Sequence, residues 1–194
     1  MINASYIILL FSLFFLSCNE KEVKNGDKNQ YEFYGEPFSG VPENVDIIMY
    51  EANQRIFASK NSLNAITARL DEIKALSVNV LWLMPINEQG VERGIGSPYS
   101  VKNYKAVEPE YGTLDDLRNL VKKSHEKGMA VIIDWVANHT SWDNEWISNK
   151  SWYTQDALGN IVSPPGTNWY DVADLNFENE DMQKAMIEAM KYWI

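Results

Sequence analysis

The sequence contains only one cysteine, Cys18, among its 194 residues. A single thiol cannot close an internal disulfide, so the cellular compartment has to be argued from the N-terminus. Basic residues are also scarce, because 17 Lys and Arg stand against 27 Asp and Glu, for a formal net charge of −10. A surface this acidic repels phosphate backbones, and we therefore expect no nucleic-acid partner.

Long apolar runs are absent outside the N-terminus, where residues 2–16 are almost wholly apolar. That length is typical of the hydrophobic region of a signal peptide, and it is short for a bilayer span, which needs about 20 residues. Because no second apolar span follows, the sequence argues against an integral membrane protein. The whole chain has 45% hydrophobic residues, enough for a sizeable core.

The apolar run ends in Leu16-Ser17-Cys18, which resembles the lipobox of bacterial lipoproteins. That resemblance implies a signal peptide over residues 1–18 and a lipid anchor at Cys18, on an exported protein held at the outer membrane, periplasmic or surface-facing. The segment before the run lacks Lys and Arg, so an uncleaved anchor helix stays open as an alternative. Residues 19–30 are charged with one apolar residue, and they predict a flexible tether.

From residue 31 onward, the pattern alternates between apolar strands and amphipathic helices. Strands are predicted over 45–50, 78–84 and 129–133, with helices starting near Leu63 and Leu114 and a last helix capped by Asn179. Thr113 and Asp116 predict a capping box for the second helix, and Gly128 predicts its end. The predicted apolar faces are Leu63, Ile66, Leu70, Ile73 and Leu76 in the first helix, and Met182, Met186, Ile187, Met190 and Trp193 in the last. The order predicts an α/β fold with a parallel sheet, and we interpret it as the first three β/α units of a TIM (β/α)8 barrel.

A complete eight-unit barrel takes about 250 residues, more than this chain offers. We therefore expect an incomplete barrel, the N-terminal part of a longer protein. A complete small α/β domain is the alternative, and it would leave an apolar edge strand exposed.

Polar side chains follow the third predicted strand. Asp134 ends its apolar run, and Asn138 and His139 come directly after. Ligand sites of α/β sheets lie at this end of the strands. Residues 140–176 then form a long segment without predicted regular structure, a length that usually carries function. It is rich in aromatic residues: Trp142, Trp146, Trp152, Tyr153, Trp169 and Tyr170.

The segment Asp134-Trp-Val-Ala-Asn-His139 resembles the first hallmark motif of the alpha-amylase family of glycoside hydrolases, Asp-x-x-x-Asn-His. Residues 80–85, 98–113 and 171–176 resemble three further family segments in the same order. The resemblance implies a catalytic (β/α)8 barrel with an inserted loop domain at about 140–176. It also implies retaining hydrolysis of α-glucosidic bonds in starch-like α-glucans or maltooligosaccharides.

The same resemblance implies roles for individual residues. Tyr99 would stack on the sugar at the cleavage point, and His139 would hydrogen-bond its hydroxyl groups. Asn138 and Asp174 would be calcium ligands, with Asp134 a structural carboxylate at the strand end. Many relatives carry a similar Asp-Leu-Asn without calcium, so its presence is left open. As the alternative to a binding role, Asn138 and His139 would merely cap the loop.

The two catalytic carboxylates of the family, a nucleophile and an acid, have no counterpart in these residues. They follow the fourth and fifth strands of the family, so no pair among Asp134, Asp143, Asp171 and Asp174 is assigned that role. Asn103 also departs from the family, which usually has Asp there. We expect these 194 residues to be inactive alone and the full-length protein to be a glycosidase. A non-catalytic carbohydrate-binding lipoprotein, or a transglycosylase or isomerase on the same barrel, remains an alternative.

Overall fold

A computed structural model describes residues 36–194 of the chain. The predicted signal peptide over 1–18 and the tether over 19–30 lie outside the described residues. Within 36–194, no helix is both long and apolar enough to cross a membrane.

The central feature is a three-stranded parallel sheet in the order β1-β2-β5. It comprises β1 (Met49–Ala52), β2 (Val80–Leu83) and β5 (Ala130–Ile133), with β2 in the middle. The three predicted strands are thus confirmed as parallel neighbours, in agreement with the first three units of a barrel. No closed barrel is formed by the described residues.

The first strand begins later than predicted. Val45 lies in a 3-10 helix, Asn44–Asp46, and its side chain is exposed, because parallel pairing with β2 starts only at Met49. The third strand is also less buried than its apolar sequence predicts. Ile132 is 41% exposed, since β5 is an edge of the described sheet and pairs only with β2.

Five α-helices accompany the strands within residues 36–194. They are α1 (Gln54–Phe57), α2 (Ser62–Ala68), α3 (Leu70–Ala75), α4 (Leu114–Glu126) and α5 (Glu180–Lys191). The helix predicted to begin near Leu63 is interrupted at Arg69, whose φ of −107° and ψ of 9° are not helical. Leu76, predicted on its apolar face, is 63% exposed because it caps α3 and no longer follows the helical stripe.

Helices α2, α3 and α4 pack with the sheet around one apolar cluster. Its buried members include Leu63, Ile66, Leu81, Leu117 and Leu120. The predicted caps of α4 are confirmed. Thr113 and Asp116 form a reciprocal capping box, and Gly128 adopts the left-handed φ of +67°.

In the described part of the chain, four strands outside the parallel sheet were not predicted. They form two antiparallel pairs, β3 (Asn87–Gln89) with β4 (Val101–Val107), and β6 (His139–Ser141) with β7 (Val172–Asp174). Two 3-10 helices, Glu145–Ser148 and Lys150–Trp152, lie between β6 and β7. Residues 140–176 therefore contain short regular elements, although the sequence predicted none in this inserted segment.

These antiparallel strands enclose a second apolar cluster with α5. The cluster buries Val101, Tyr104, Val136, Tyr153, Ala173, Leu175, Met182, Met186 and Ala189. The predicted face of α5 is correct for Met182 and Met186 and wrong for Ile187 and Met190, which are exposed. The buried stripe continues from Met186 to Ala189 instead, three residues on along the helix.

Candidate functional site

The candidate site lies at the C-terminal ends of β2 and β5. Asp134 follows β5 directly, and its backbone amide donates to the carbonyl of Leu83 at 2.9 Å. Tyr99 extends to this point from the end of the glycine-rich loop, residues 90–99, and its hydroxyl donates to Asp134 Oδ2 at 3.1 Å. Burial, followed by the nearby Asp134 charge, raises the pKa of Tyr99, so the phenol keeps its proton. The structure thus brings together two residues that the sequence had placed in one site.

His139 begins β6 and is held by hydrogen bonds at both ring nitrogens. Nδ1 lies 3.2 Å from the side-chain amide nitrogen of Asn138. This nitrogen can only donate a hydrogen bond, so Nδ1 is the acceptor. Nε2 therefore carries the proton and donates to the carbonyl of Tyr99 at 3.2 Å. Contact with a sugar hydroxyl requires one of these bonds to exchange, so the sugar-binding role of His139 stays a prediction.

The imidazole of His139 is uncharged at neutral pH. Its side chain is almost buried, with 8% of the residue exposed. Burial lowers the pKa of His139, and the Tyr99 carbonyl and the charges of Asp171 and Asp174 oppose this only in part. Since the ordinary histidine pKa is already below 7, the ring stays neutral and keeps one acceptor nitrogen.

Asn138 and Asp174, the predicted calcium ligands, lie on neighbouring backbones. Asp174 of β7 pairs with His139 of β6, and the Asn138 carbonyl accepts from the amide of Leu175 at 3.1 Å. The Asn138 side-chain oxygen and the Asp174 carboxylate are hard donors of the kind calcium prefers, but calcium takes about six to eight oxygens. Residues 36–194 contain no group of three or more His, Cys, Asp and Glu suited to a metal. The donors therefore fit calcium only in part.

Tyr104 is a residue of the site region whose role was not predicted. Its buried hydroxyl lies 2.8 Å from the carbonyl of Val136 and 3.1 Å from that of His139. Burial raises the pKa of Tyr104 well above its ordinary value, which keeps the hydroxyl a donor. Tyr104 thereby fixes the turn that presents Asn138 and His139. The aromatic residue was visible in the segment 98–104, but this long-range contact was not.

The glycine-rich loop that carries Tyr99 is attached to the chain at several points. Arg55 donates to the carbonyl of Gly96, and Asp143 Oδ2 accepts from the amide of Val91 at 3.1 Å. Gly90 lies so close to Ser141 that an added Cβ would fall 2.1 Å from the serine Cβ. These contacts fix the loop against β6 and the residues after it.

The charge of Asp143 is maintained by the same loop. Burial would raise the pKa of its carboxyl group, but hydrogen bonds from the Val91 amide and other backbone amides outweigh burial and lower that pKa. Beside it, the guanidinium of Arg93 lies 4.0 Å from the ring centre of Trp142. The contact adds a cation–π interaction between the loop and the following segment.

The six aromatic residues between 140 and 176 divide into two groups. Four of them contribute to the second apolar cluster: Trp142, Trp146, Trp152 and Tyr153. Trp169 and Tyr170 remain largely exposed. The ring of Trp169 meets the imidazole of His139 edge-on, with centroids 5.6 Å apart and planes at 63°. Trp169 therefore joins the candidate site, and the sequence had not separated it from the packing residues.

Open hollows on the part of the chain that the structure describes include two near the second apolar cluster and the glycine-rich loop. One of about 280 Å³ is lined by Gln89, Gly90, Val91, Gly94, Gly96 and Glu108. The other, of about 400 Å³, lies around Tyr153 and Phe177. Neither hollow is lined by Tyr99, Asp134 or His139.

The chain matches known proteins over most of its length. The family described as "Alpha amylase, catalytic domain" matches residues 23–160. Alpha-amylase 3 of Dictyoglomus thermophilum is 33% identical over 172 residues, which cover 76% of this chain and 34% of that protein. Trehalose-6-phosphate hydrolase of Bacillus subtilis is 31% identical over 170 residues, covering 68% of this chain and 28% of the relative.

Solved structures agree with these matches. An alpha-amylase from Lactobacillus plantarum superposes with a TM-score of 0.71 at 36% identity, covering 76% of this chain and 36% of that one. Other relatives are an oligo-1,6-glucosidase, a trehalose synthase and an amino acid transporter heavy chain. The chain spans about a third of the length of curated relatives such as the alpha-amylase and the oligo-1,6-glucosidase.

Proposed function

We propose that the full-length protein hydrolyses α-glucosidic bonds with retention, because the chain belongs to the alpha-amylase family of glycoside hydrolases. The proposed substrates are starch-like α-glucans or maltooligosaccharides. The observation that carries this proposal is the position of Tyr99, which is bonded to Asp134 through its hydroxyl and to His139 through its carbonyl. An aromatic ring is thereby oriented at the strand ends, where a sugar can lie on it.

The described residues supply binding and orientation in this proposal. The face of Tyr99 offers an apolar surface to the C–H face of a glucose unit. Asp134 holds the phenol, and the neutral His139 holds the backbone of Tyr99, so the ring does not have to be ordered when the sugar binds. The attacking and protonating carboxylates of a retaining reaction would come from later strands of the barrel. No carboxylate among the described residues is assigned to either step.

The proposal is tested with protein expressed from the complete reading frame. We expect release of reducing sugar from soluble starch and maltotriose, with the newly formed end in the α configuration by NMR. Loss of stacking in Tyr99→Ala should reduce kcat/KM by about 10- to 100-fold, as expected for about 1.5–3 kcal/mol of aromatic burial. The 194-residue chain alone should show no turnover. An inactive full-length protein would contradict the proposal.

A transglycosylase or isomerase is the second candidate, and the trehalose synthase among the relatives favours keeping it. The same assay separates the two reactions. A transferase replaces each glucosidic bond that it cleaves in maltose by a new one. The number of glucosidic bonds therefore stays the same, and little net reducing sugar is released. A non-catalytic binding protein, the third class, would bind maltotriose and leave it intact; an amino acid transporter heavy chain is among the relatives.

We also propose that Cys18 carries the lipid anchor of an exported protein. The support is its place at the end of the apolar run 2–16, followed by the charged residues 19–30. More than one acyl chain is needed for stable attachment. Labelled palmitate should be incorporated into the wild type and not into Cys18→Ser, and the label should appear in the outer-membrane fraction. Labelling of both forms would contradict the assignment.

A further inference from the structure

We propose that Trp169 is a sugar-stacking platform, which holds the glucose unit next to the one on Tyr99. This inference rests on the proposed function and deepens it, since it predicts that a ligand must contain at least two linked glucose units to use the whole site. The ligand class is an uncharged α-linked glucose oligosaccharide.

The first observation is that Trp169 lies beside the predicted site residues. Its ring and the His139 imidazole lie in an edge-to-face arrangement, with 5.6 Å between their centroids. The protonated Nε2 of the same imidazole bonds the carbonyl of Tyr99. His139 thus connects Trp169 to Tyr99, and the two aromatic residues flank it.

The second observation is that Trp169 is exposed in a segment whose other tryptophans are used for packing. Trp142, Trp146 and Trp152 contribute to the second apolar cluster, whereas Trp169 is 52% exposed. An indole is a large apolar surface, and leaving half of it in water forgoes stabilisation that burial would supply. A ligand that covers the ring recovers this stabilisation on binding.

The third observation is that the backbone around Trp169 is well fixed. The Trp169 amide donates to Thr167 Oγ1 at 3.3 Å, and that hydroxyl donates to the carbonyl of Pro164 at 2.8 Å. On the other side, the indole nitrogen of Trp142 donates to the carbonyl of Tyr170 at 3.0 Å. An exposed ring on a fixed turn loses little conformational entropy on binding, which is the property expected of a binding platform.

The charges around the site favour an uncharged ligand. Asp134 accepts a hydrogen bond from Tyr99, and the charges of Asp171 and Asp174 act on His139. Three carboxylates so placed would repel a phosphorylated sugar. They leave the C–H faces and hydroxyl groups of neutral glucose units as the complementary chemistry.

The test measures binding to the protein from the complete reading frame by isothermal titration calorimetry. The probe is a thio-linked maltotriose, whose sulfur bridges resist hydrolysis. We expect Trp169→Ala to raise the Kd at least tenfold and Trp169→Phe, which keeps a flat ring, to raise it less than fivefold. Phe177→Ala is the matched control, because Phe177 is 48% exposed and lines the separate hollow near Tyr153. Its Kd should match that of the wild type.

The outcomes separate this inference from the proposed function. An unchanged Kd in Trp169→Ala, or equal losses in Trp169→Ala and Phe177→Ala, would overturn the inference while wild-type hydrolysis of maltotriose still supports the function. A wild type that binds the probe through Trp169 but hydrolyses nothing would overturn only the function. A wild type that does not bind the probe overturns the inference. Circular dichroism and Tm measurements on each variant show whether a loss reflects unfolding.

Discussion

The hydroxyl of Tyr99 donates to Asp134 Oδ2 at 3.1 Å, although 35 residues separate the two in sequence. The bond joins the end of the glycine-rich loop to the end of strand β5. It orients the Tyr99 ring without using its faces, so the faces stay available for a ligand.

This bond predicts an energetic coupling between the two residues. Tyr99→Phe and Asp134→Ala each remove one partner of the bond. The double variant should lose less free energy of unfolding than the two single variants lose together, and the difference should be about 1 kcal/mol. Urea unfolding of the wild type, both single variants and the double variant measures the coupling. Strictly additive losses would contradict a bond that contributes to stability.

The buried His139 predicts a loss of stability in mild acid. Its pKa is lowered in the folded protein, so the unfolded chain takes up a proton more readily. The stability that the neutral His139 contributes is complete above the ordinary histidine pKa of about 6.5. It is lost as the pH falls from there through the pKa of His139 in the folded protein. Urea unfolding at pH 7.5 and 5.5 should show a larger decrease for the wild type than for His139→Gln. Equal decreases would show that His139 does not contribute.

The close approach of Gly90 to Ser141 predicts that any side chain at position 90 is harmful. In Gly90→Ala the new Cβ would lie 2.1 Å from the Ser141 Cβ and 2.4 Å from Asp143 Oδ1. Forced displacement of packed atoms typically costs about 1–3 kcal/mol. The loop carrying Tyr99 should shift as well, which raises KM.

A second substitution tests the cause of that loss. Ser141→Gly removes the Cβ that the new methyl group meets, so the double variant Gly90→Ala/Ser141→Gly should recover part of the stability lost in Gly90→Ala. Thermal unfolding of the three variants decides the point. No recovery would mean that the harm arises elsewhere.

The capping box of helix α4 predicts a measurable cost when it is opened. Thr113 Oγ1 accepts from the Asp116 amide at 3.1 Å, and Asp116 Oδ2 accepts from the Thr113 amide at 2.8 Å. Thr113→Ala should reduce the free energy of unfolding by about 1 kcal/mol. Thr67→Ala, inside helix α2, is the control and should change it less. A cost no larger than that of the control would be inconsistent with a working cap.

The calcium hypothesis predicts a specific thermal response. If Asn138 and Asp174 bind calcium, adding Ca²⁺ to protein treated with a chelator should raise Tm by several degrees, because a ligand that binds only the folded state stabilises it. Asp174→Asn should abolish most of the rise, and Mg²⁺ should produce less. The same Tm with and without Ca²⁺ would reject the hypothesis for these two residues.

The features readable from sequence are those set by neighbouring residues. Thr113, Asp116 and Gly128 delimit helix α4 through bonds within a few positions of one another, and all three were predicted. The apolar runs of β2 and β5 and the polar residues after β5 likewise predicted a parallel sheet with a site at its C-terminal edge. Local backbone preference and hydrophobic patterning act over such short distances, so they need no knowledge of the distant chain.

Features that depend on distant partners became apparent only in the folded chain. The antiparallel pairs β3–β4 and β6–β7 form between segments whose patterns are weak, and the hydrogen bond between Tyr99 and Asp134 spans two units of the fold. The distinction between Trp142 in the core and Trp169 on the surface is of the same kind. Identical side chains take opposite roles there because burial depends on which surfaces meet in three dimensions, and spacing along the chain does not encode that meeting.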